Sequence, residues 1–191
     1  MLQKYSAGFT TAFAEQLAEK TRAEIGLKIF DRLDPLKLAN YLEVPALRLS
    51  DLPYFALPAD LQRSVGATQE LLKVKSAFSA VTIFIGTKRY ILHNDGQSTE
   101  RQAANICHEL AHGLLLHPPA PALTAVGLRD YQEQIENEAT YLGAALLILG
   151  KAARGAGTRN MTVTDVAATY GTSIELARWR LNTTGYRKKM K

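Results

Sequence analysis

Apolar positions along the chain fall into helical and alternating patterns with clear breaks between them. Over residues 6–26, Phe9, Phe13, Leu17 and Ile25 recur near helical spacing, and Gly26 marks the stop of an amphipathic helix. A short helix is expected over 35–42, with Asp34 as its N-cap and Pro35 in the first helical position. Residues 44–49 read as a short strand, and 50–66, with Pro53 and Pro58, as a loop. The runs VTIFI (81–85) and RYILH (89–93) flank Gly86-Thr87-Lys88, a hairpin signal. Asn94-Asp95-Gly96 then predicts a turn, and Ser98 caps a helix that ends before Pro118-Pro119. A further helix is expected over 131–149, a Gly/Arg linker over 151–160, and two short helices around Gly171 over 162–182. Strands grouped together with helices around them make an α+β fold with a small antiparallel or mixed sheet. The expected organisation is a main domain over 1–150, then a linker and a helix-turn-helix-like segment with a basic tail over 151–191.

Composition adds a location and a charge asymmetry. With 191 residues, 47% apolar and 21% charged, the chain suffices for one sizeable core. No apolar run reaches the roughly 18 residues of a membrane span, so no membrane partner is expected. Glu15 and Glu19 fall where a secretory leader would stay apolar, and a single cysteine suits a reducing interior, so the cytoplasm is the expected location. Residues 151–191 hold nine Lys/Arg against two Asp/Glu, a net of +7, whereas 1–150 hold fourteen against sixteen, a net of −2. A basic end on a mildly acidic body fits an anionic partner such as DNA, and fits a solvated tail as well.

The chemistry centres on His108-Glu109-Leu110-Ala111-His112. Residues four apart on a helix share a face, so two imidazoles can point at one ion while Glu109 reaches to the side. Zinc accepts such ligands, keeps a position for water and brings that water's pKa to about 7. Glu109 would take the water's proton and pass it to the leaving amine. One zinc per chain is expected, with manganese as the alternative ion. Chance yields this motif in roughly one shuffled copy in two hundred. The bland alternative is two core histidines, but Ala103, Ala104, Ile106, Cys107, Leu110, Ala111 and Leu114 make the helix apolar nearly all round. Buried there unpaired, the polar groups would cost several kcal/mol.

A third ligand is needed. His117 falls one position short of the third histidine in the spacing HExxHxxGxxH, and Leu115 replaces its glycine. On the next helix Glu138 lies in the apolar stripe Ile135, Glu138, Leu142, Ala145, Leu149, while Glu136 shares a less apolar row with Thr140, Gly143 and Leu147. A carboxylate in a core stripe needs a partner, which makes Glu138 the expected ligand and Glu136 the fallback.

The runs SxxRQAANICHELAHGLLLH, ENEATYLGAALLI and RYILHND, with the earlier DPLKLANYLEV, resemble the ImmA/IrrE family of metallo-endopeptidases over most of residues 10–182. The resemblance implies a zincin-like fold, zinc on His108, His112 and Glu138, and Glu109 as catalyst. It also implies a protein substrate, a helix-turn-helix repressor of phage or stress type whose cleavage derepresses genes. One departure is Leu146-Leu147-Ile148-Leu149-Gly150, where the family commonly ends its ligand helix LLxP.

Other residues carry lesser expectations. Residues 166–181 resemble a helix-turn-helix, with Arg178, Arg180, Arg187, Lys188, Lys189 and Lys191 available for phosphates. The preferred alternative is a helical pair closing the core, with Trp179 packed inward. Cys107 reads as a small buried hydrophobe. Tyr131, Tyr141, His117 and Arg129 are near enough in sequence to stabilise an oxyanion. The strand over 81–85 is a candidate edge for an extended substrate. The rival reading of the whole chain is a non-catalytic, zinc-containing regulator that binds DNA or protein. A structural zinc would need four protein ligands, and only three are convincing.

Overall fold

The computed structural model describes residues 8–54, 79–118 and 133–185. Helix α1 (Thr11–Glu24) begins where the Thr10 hydroxyl accepts the Phe13 N–H at 3.0 Å. It closes where Gly26 adopts a left-handed backbone (φ +79) and Leu27 N–H returns to the Arg22 carbonyl at 3.0 Å, so the expected stop is found. Helix α2 (Pro35–Tyr41) starts as expected, with the Asp34 carboxylate accepting the Leu36 N–H at 3.0 Å.

Three strands form one mixed sheet in the order β1-β3-β2. Strand β1 (Ala46–Arg48) runs parallel to β3 (Lys88–His93), and β2 (Ala80–Ile85) runs antiparallel to it. Gly86, with φ +58, makes the hairpin tight enough that Lys88 pairs with Ile85 instead of lying in the turn. A 3-10 helix (Leu49–Tyr54) replaces the start of the expected loop, and residues 55–66 of that stretch lie outside the described ones. The register sets Thr82 opposite Ile91 and Phe84 opposite Arg89, which by alternation share one face of the sheet.

That face receives helix α3 (Thr99–Leu114), started by Ser98, whose hydroxyl accepts the Arg101 N–H at 3.3 Å. Helix α4 (Glu133–Leu147) lies against α3, and Gly143 marks their closest approach: a Cβ there would sit 3.0 Å from both the Cα and the backbone N of His108. Around this pair Ala14, Ala18, Leu38, Ile91, Leu110, Leu142 and Leu146 are buried, each larger side chain contributing roughly 1.5–3 kcal/mol.

The expected linker over 151–160 is corrected: most of it is helix α5 (Gly150–Thr158). Its small residues, read as flexible, are what let it pack: Gly150, Ala152, Ala153, Ala156 and Gly157 are buried, and a Cβ on Gly155 would collide with the Phe30 ring. Glu15 accepts the Gly150 N–H at 2.7 Å and so caps its start. Helices α6 (Val163–Tyr170) and α7 (Ile174–Thr183) follow, separated by left-handed Gly171 (φ +62), as the sequence predicts. A capping box between Thr162 and Asp165 starts α6, and Ser173 starts α7.

Two buried arginines hold the end of α4. Arg22 donates to the Leu146 carbonyl at 2.6 Å, and Arg180 of α7 donates to the Ile148 carbonyl at 2.9 Å and to the Glu15 carboxylate. These carbonyls have no partner inside α4, so long-range guanidinium donors replace the missing turn. Arg180 is fully buried and is not placed to touch a phosphate. Arg187, Lys188, Lys189 and Lys191 lie outside the described residues. Among the described residues no helix is long and apolar enough to cross a membrane.

Candidate metal centre

The i,i+4 spacing on α3 brings the Nε2 atoms of His108 and His112 to 3.1 Å from each other. The carboxylate facing them belongs to Glu136: its Oε2 is 3.1 Å from His108 Nε2 and its Oε1 is 3.5 Å from His112 Nε2. The two imidazoles hold the Glu136 carboxyl well below the usual carboxylate range, chiefly through the hydrogen bond with His108 and then that with His112. It is therefore ionised at neutral pH, as a metal ligand must be.

Glu138, the expected third ligand, is placed elsewhere. It is buried as its apolar stripe predicts, but its Oε2 lies 3.1 Å from His117 Nε2. The row that meets α3 is the one through Glu136, Thr140 and Gly143. Gly143 lets α4 approach the backbone of His108 closely, and Thr140 Oγ1 lies 3.5 Å from His108 Nδ1. Polarity made this row look exposed, whereas the absent side chain at Gly143 turns it inward.

The donors fit a small tetrahedral ion. Zinc–ligand bonds of 2.0–2.1 Å imply ligand-to-ligand separations of about 3.3 Å. The two imidazole nitrogens, 3.1 Å apart, are near that value. Each has a Glu136 oxygen within 3.5 Å, Oε2 for His108 and Oε1 for His112, and one donor atom from each of the three residues lies within 4.8 Å of the others. Two imidazoles and a carboxylate are also a chemically suitable set for zinc.

Glu109 is not among the three converging donors and is buried. Thr82 on β2 donates to its Oε2 at 2.6 Å. The Arg89 guanidinium occupies the space beside Gly113 of α3. Burial lowers the pKa of Arg89, and the nearby Glu109 carboxylate opposes that shift. Glu109, His108 and Asn105 line a cleft of about 240 Å³ that opens beside β2. A second cleft of about 390 Å³ runs from His108 past Ala104, Ala144, Leu176 and Trp179.

The IrrE N-terminal-like domain, a family of peptidases, matches residues 67–182, more than half of the chain. The chain belongs to this family. Its members are metallopeptidases, which assigns peptide-bond hydrolysis, a metal cofactor and a protein substrate class to this fold. No curated protein and no solved structure matches the chain. The α+β architecture with its small mixed sheet is that of a zincin-like domain.

Of the residues considered for an oxyanion, Tyr141 instead donates to Glu15 at 3.1 Å, with its ring against Trp179. His117 lies behind His112, and Arg129 and Tyr131 fall outside the described residues. Thr82 and Arg89 were missed. Alternation along the hairpin was the available signal, since it puts both on the face that meets α3.

Proposed function

We propose that the chain is a zinc-dependent endopeptidase in which His108, His112 and Glu136 hold the ion and Glu109 is the catalytic base. The observation that carries this reading is the convergence of those three donors beside the Glu109 carboxylate, which lines a cleft together with His108. Bound zinc would polarise the scissile carbonyl and acidify a water. Glu109 takes a proton from the attacking water and delivers it to the leaving nitrogen. Thr82 fixes the Glu109 carboxylate by its hydrogen bond. Strand β2 lies at the margin of the sheet order, which supports its use as the edge that pairs with an extended peptide. The apolar cleft toward Trp179 suits a large apolar side chain next to the cleaved bond.

The resemblance to ImmA/IrrE proteins supports a helix-turn-helix repressor as the substrate. Against the rival of a non-catalytic regulator, three donors converge among the described residues, which supports an open coordination position over the closed four-ligand set of a structural zinc. The test is metal content at saturating zinc. Wild type and Glu138→Ala should each bind one ion per chain, and Glu136→Ala should lose it. Retention by Glu136→Ala together with loss by Glu138→Ala would return the ligand role to Glu138.

A further inference from the structure

Two buried polar side chains have no part in the mechanism so far. The His117 and Glu138 side chains are 7% and 5% exposed, and they form a pair. The turn that ends α3 brings this pair to the metal helix. Leu116 N–H bonds to the Gly113 carbonyl at 3.1 Å and His117 N–H to the His112 carbonyl at 3.0 Å, the two bonds of a Schellman motif. Leu116 must therefore take φ +55, a left-handed backbone that a side chain disfavours by about 1–2 kcal/mol. Its side chain is 88% exposed and recovers little of that by packing. The strained turn swings the His117 ring edge-on against His112, with centroids 5.0 Å apart and Nδ1 to Nδ1 at 2.9 Å.

We infer that His117 and Glu138 are positioning residues that fix the tautomer and ring orientation of His112 at the metal. This inference rests on the reading of His112 as a zinc ligand. Nε2 of His112 faces Glu136 and His108, so as a ligand it must carry a lone pair there and its proton on Nδ1. That Nδ1–H donates to Nδ1 of His117, which leaves the His117 proton on Nε2. The Nε2–H in turn donates to Glu138. Each atom in the chain thus has one role, and the carboxylate terminates it. A carboxylate–histidine–metal arrangement of this kind orients the ligand and raises its basicity; here one more imidazole is interposed. Glu138 is then buried because it anchors the second layer, which accounts for a carboxylate in the apolar stripe of α4.

The test uses the full chain. Nitrogen-15 long-range NMR of the zinc-loaded wild type should show His112 protonated at Nδ1 and His117 at Nε2. Zinc affinity, measured against a competing chelator, should fall about 10- to 100-fold in His117→Leu and in Glu138→Leu. His117→Gln, whose amide can both accept and donate, should recover much of that loss. The cobalt-substituted leucine variants should show displaced d–d absorption bands. Wild-type affinity and spectra in both leucine variants, or a His117 proton on Nδ1, would overturn the inference while leaving the zinc reading standing, whereas a His112 proton on Nε2 would overturn both. A wild type that binds no zinc would overturn both. The NMR measurement needs no substitution, so it decides the question even where a variant fails to fold.

Discussion

Thr82 on strand β2 donates a 2.6 Å hydrogen bond to Glu109 on the metal helix, tying the margin of the sheet to the candidate base. A hydrogen bond to a charged group contributes about 1.5–3 kcal/mol, and here it fixes the direction of the carboxylate. Thr82→Val keeps the shape and removes the donor. It should lower kcat by about tenfold or more, leave zinc content unchanged and lower stability by up to about 1.5–3 kcal/mol. Steady-state kinetics with unchanged kcat would remove Thr82 from the mechanism.

Gly143 offers a test of how the third ligand is brought in. Alanine there gains about 1 kcal/mol of helix propensity, yet its Cβ would press on the His108 backbone at 3.0 Å. Because backbone cannot swing aside, α3 and α4 should separate by a few tenths of an ångström. Metal sites tolerate little such misplacement, so zinc affinity should fall about tenfold with no gain in stability. A Gly143→Ala variant that is more stable and binds zinc normally would show that the close approach is unimportant.

The pairing of His108 with His112 was legible in the sequence because helical spacing alone puts them together, and the caps at Asp34 and Ser98 were legible for similarly local reasons. The carboxylate that faces the two histidines was not. Apolar stripes report burial, and Glu138 is buried, but the choice between Glu138 and Glu136 depends on where α4 crosses α3. Gly143, seven positions after Glu136 on the same row, was the overlooked sign of that crossing. Residues 151–160 misled for a related reason, since glycine and alanine serve close packing as readily as flexibility. The Arg180–Glu15 pair joins residues 165 positions apart and leaves no local trace.

That pair bears on the terminal helices. Arg180 is fully buried, so removing its partner strands a charge in the core, which typically costs about 3–5 kcal/mol. Glu15 is itself partly exposed, which places Glu15→Ala toward the lower end. Chemical denaturation of Glu15→Ala and Arg180→Ala should show large losses. The folded chain should show no sequence-specific duplex binding at physiological salt. Tight, sequence-selective binding with a steep salt dependence would reinstate a DNA-binding role for this segment.

Cys107 gives a pH signature. Burial pushes its thiol up to about 12, whereas an unfolded thiol ionises near about 8.5. The folded state therefore keeps a proton that the unfolded state releases. This group's contribution is intact below about pH 8.5 and is lost as pH rises toward 12, by up to about 1.4 kcal/mol per unit. Stability measured from about pH 9 to 11 should fall less steeply in Cys107→Ala than in wild type, and thiol reagents should react only on unfolding. Equal slopes, or rapid labelling of the native chain, would contradict the buried neutral thiol.

The most direct measurement is cleavage of the repressor encoded nearest the gene by wild type and by Glu109→Gln, each zinc-loaded. The substitution keeps the side chain's shape and its hydrogen-bonding reach while removing the charge that accepts a proton. General-base catalysis contributes about 100- to 10,000-fold, so the variant should retain its zinc and its fold and bind the repressor while cleaving it at least about a hundredfold more slowly. Cleavage by Glu109→Gln at the wild-type rate would contradict the assignment of Glu109, and tight binding without cleavage by the wild type would favour a non-catalytic regulator.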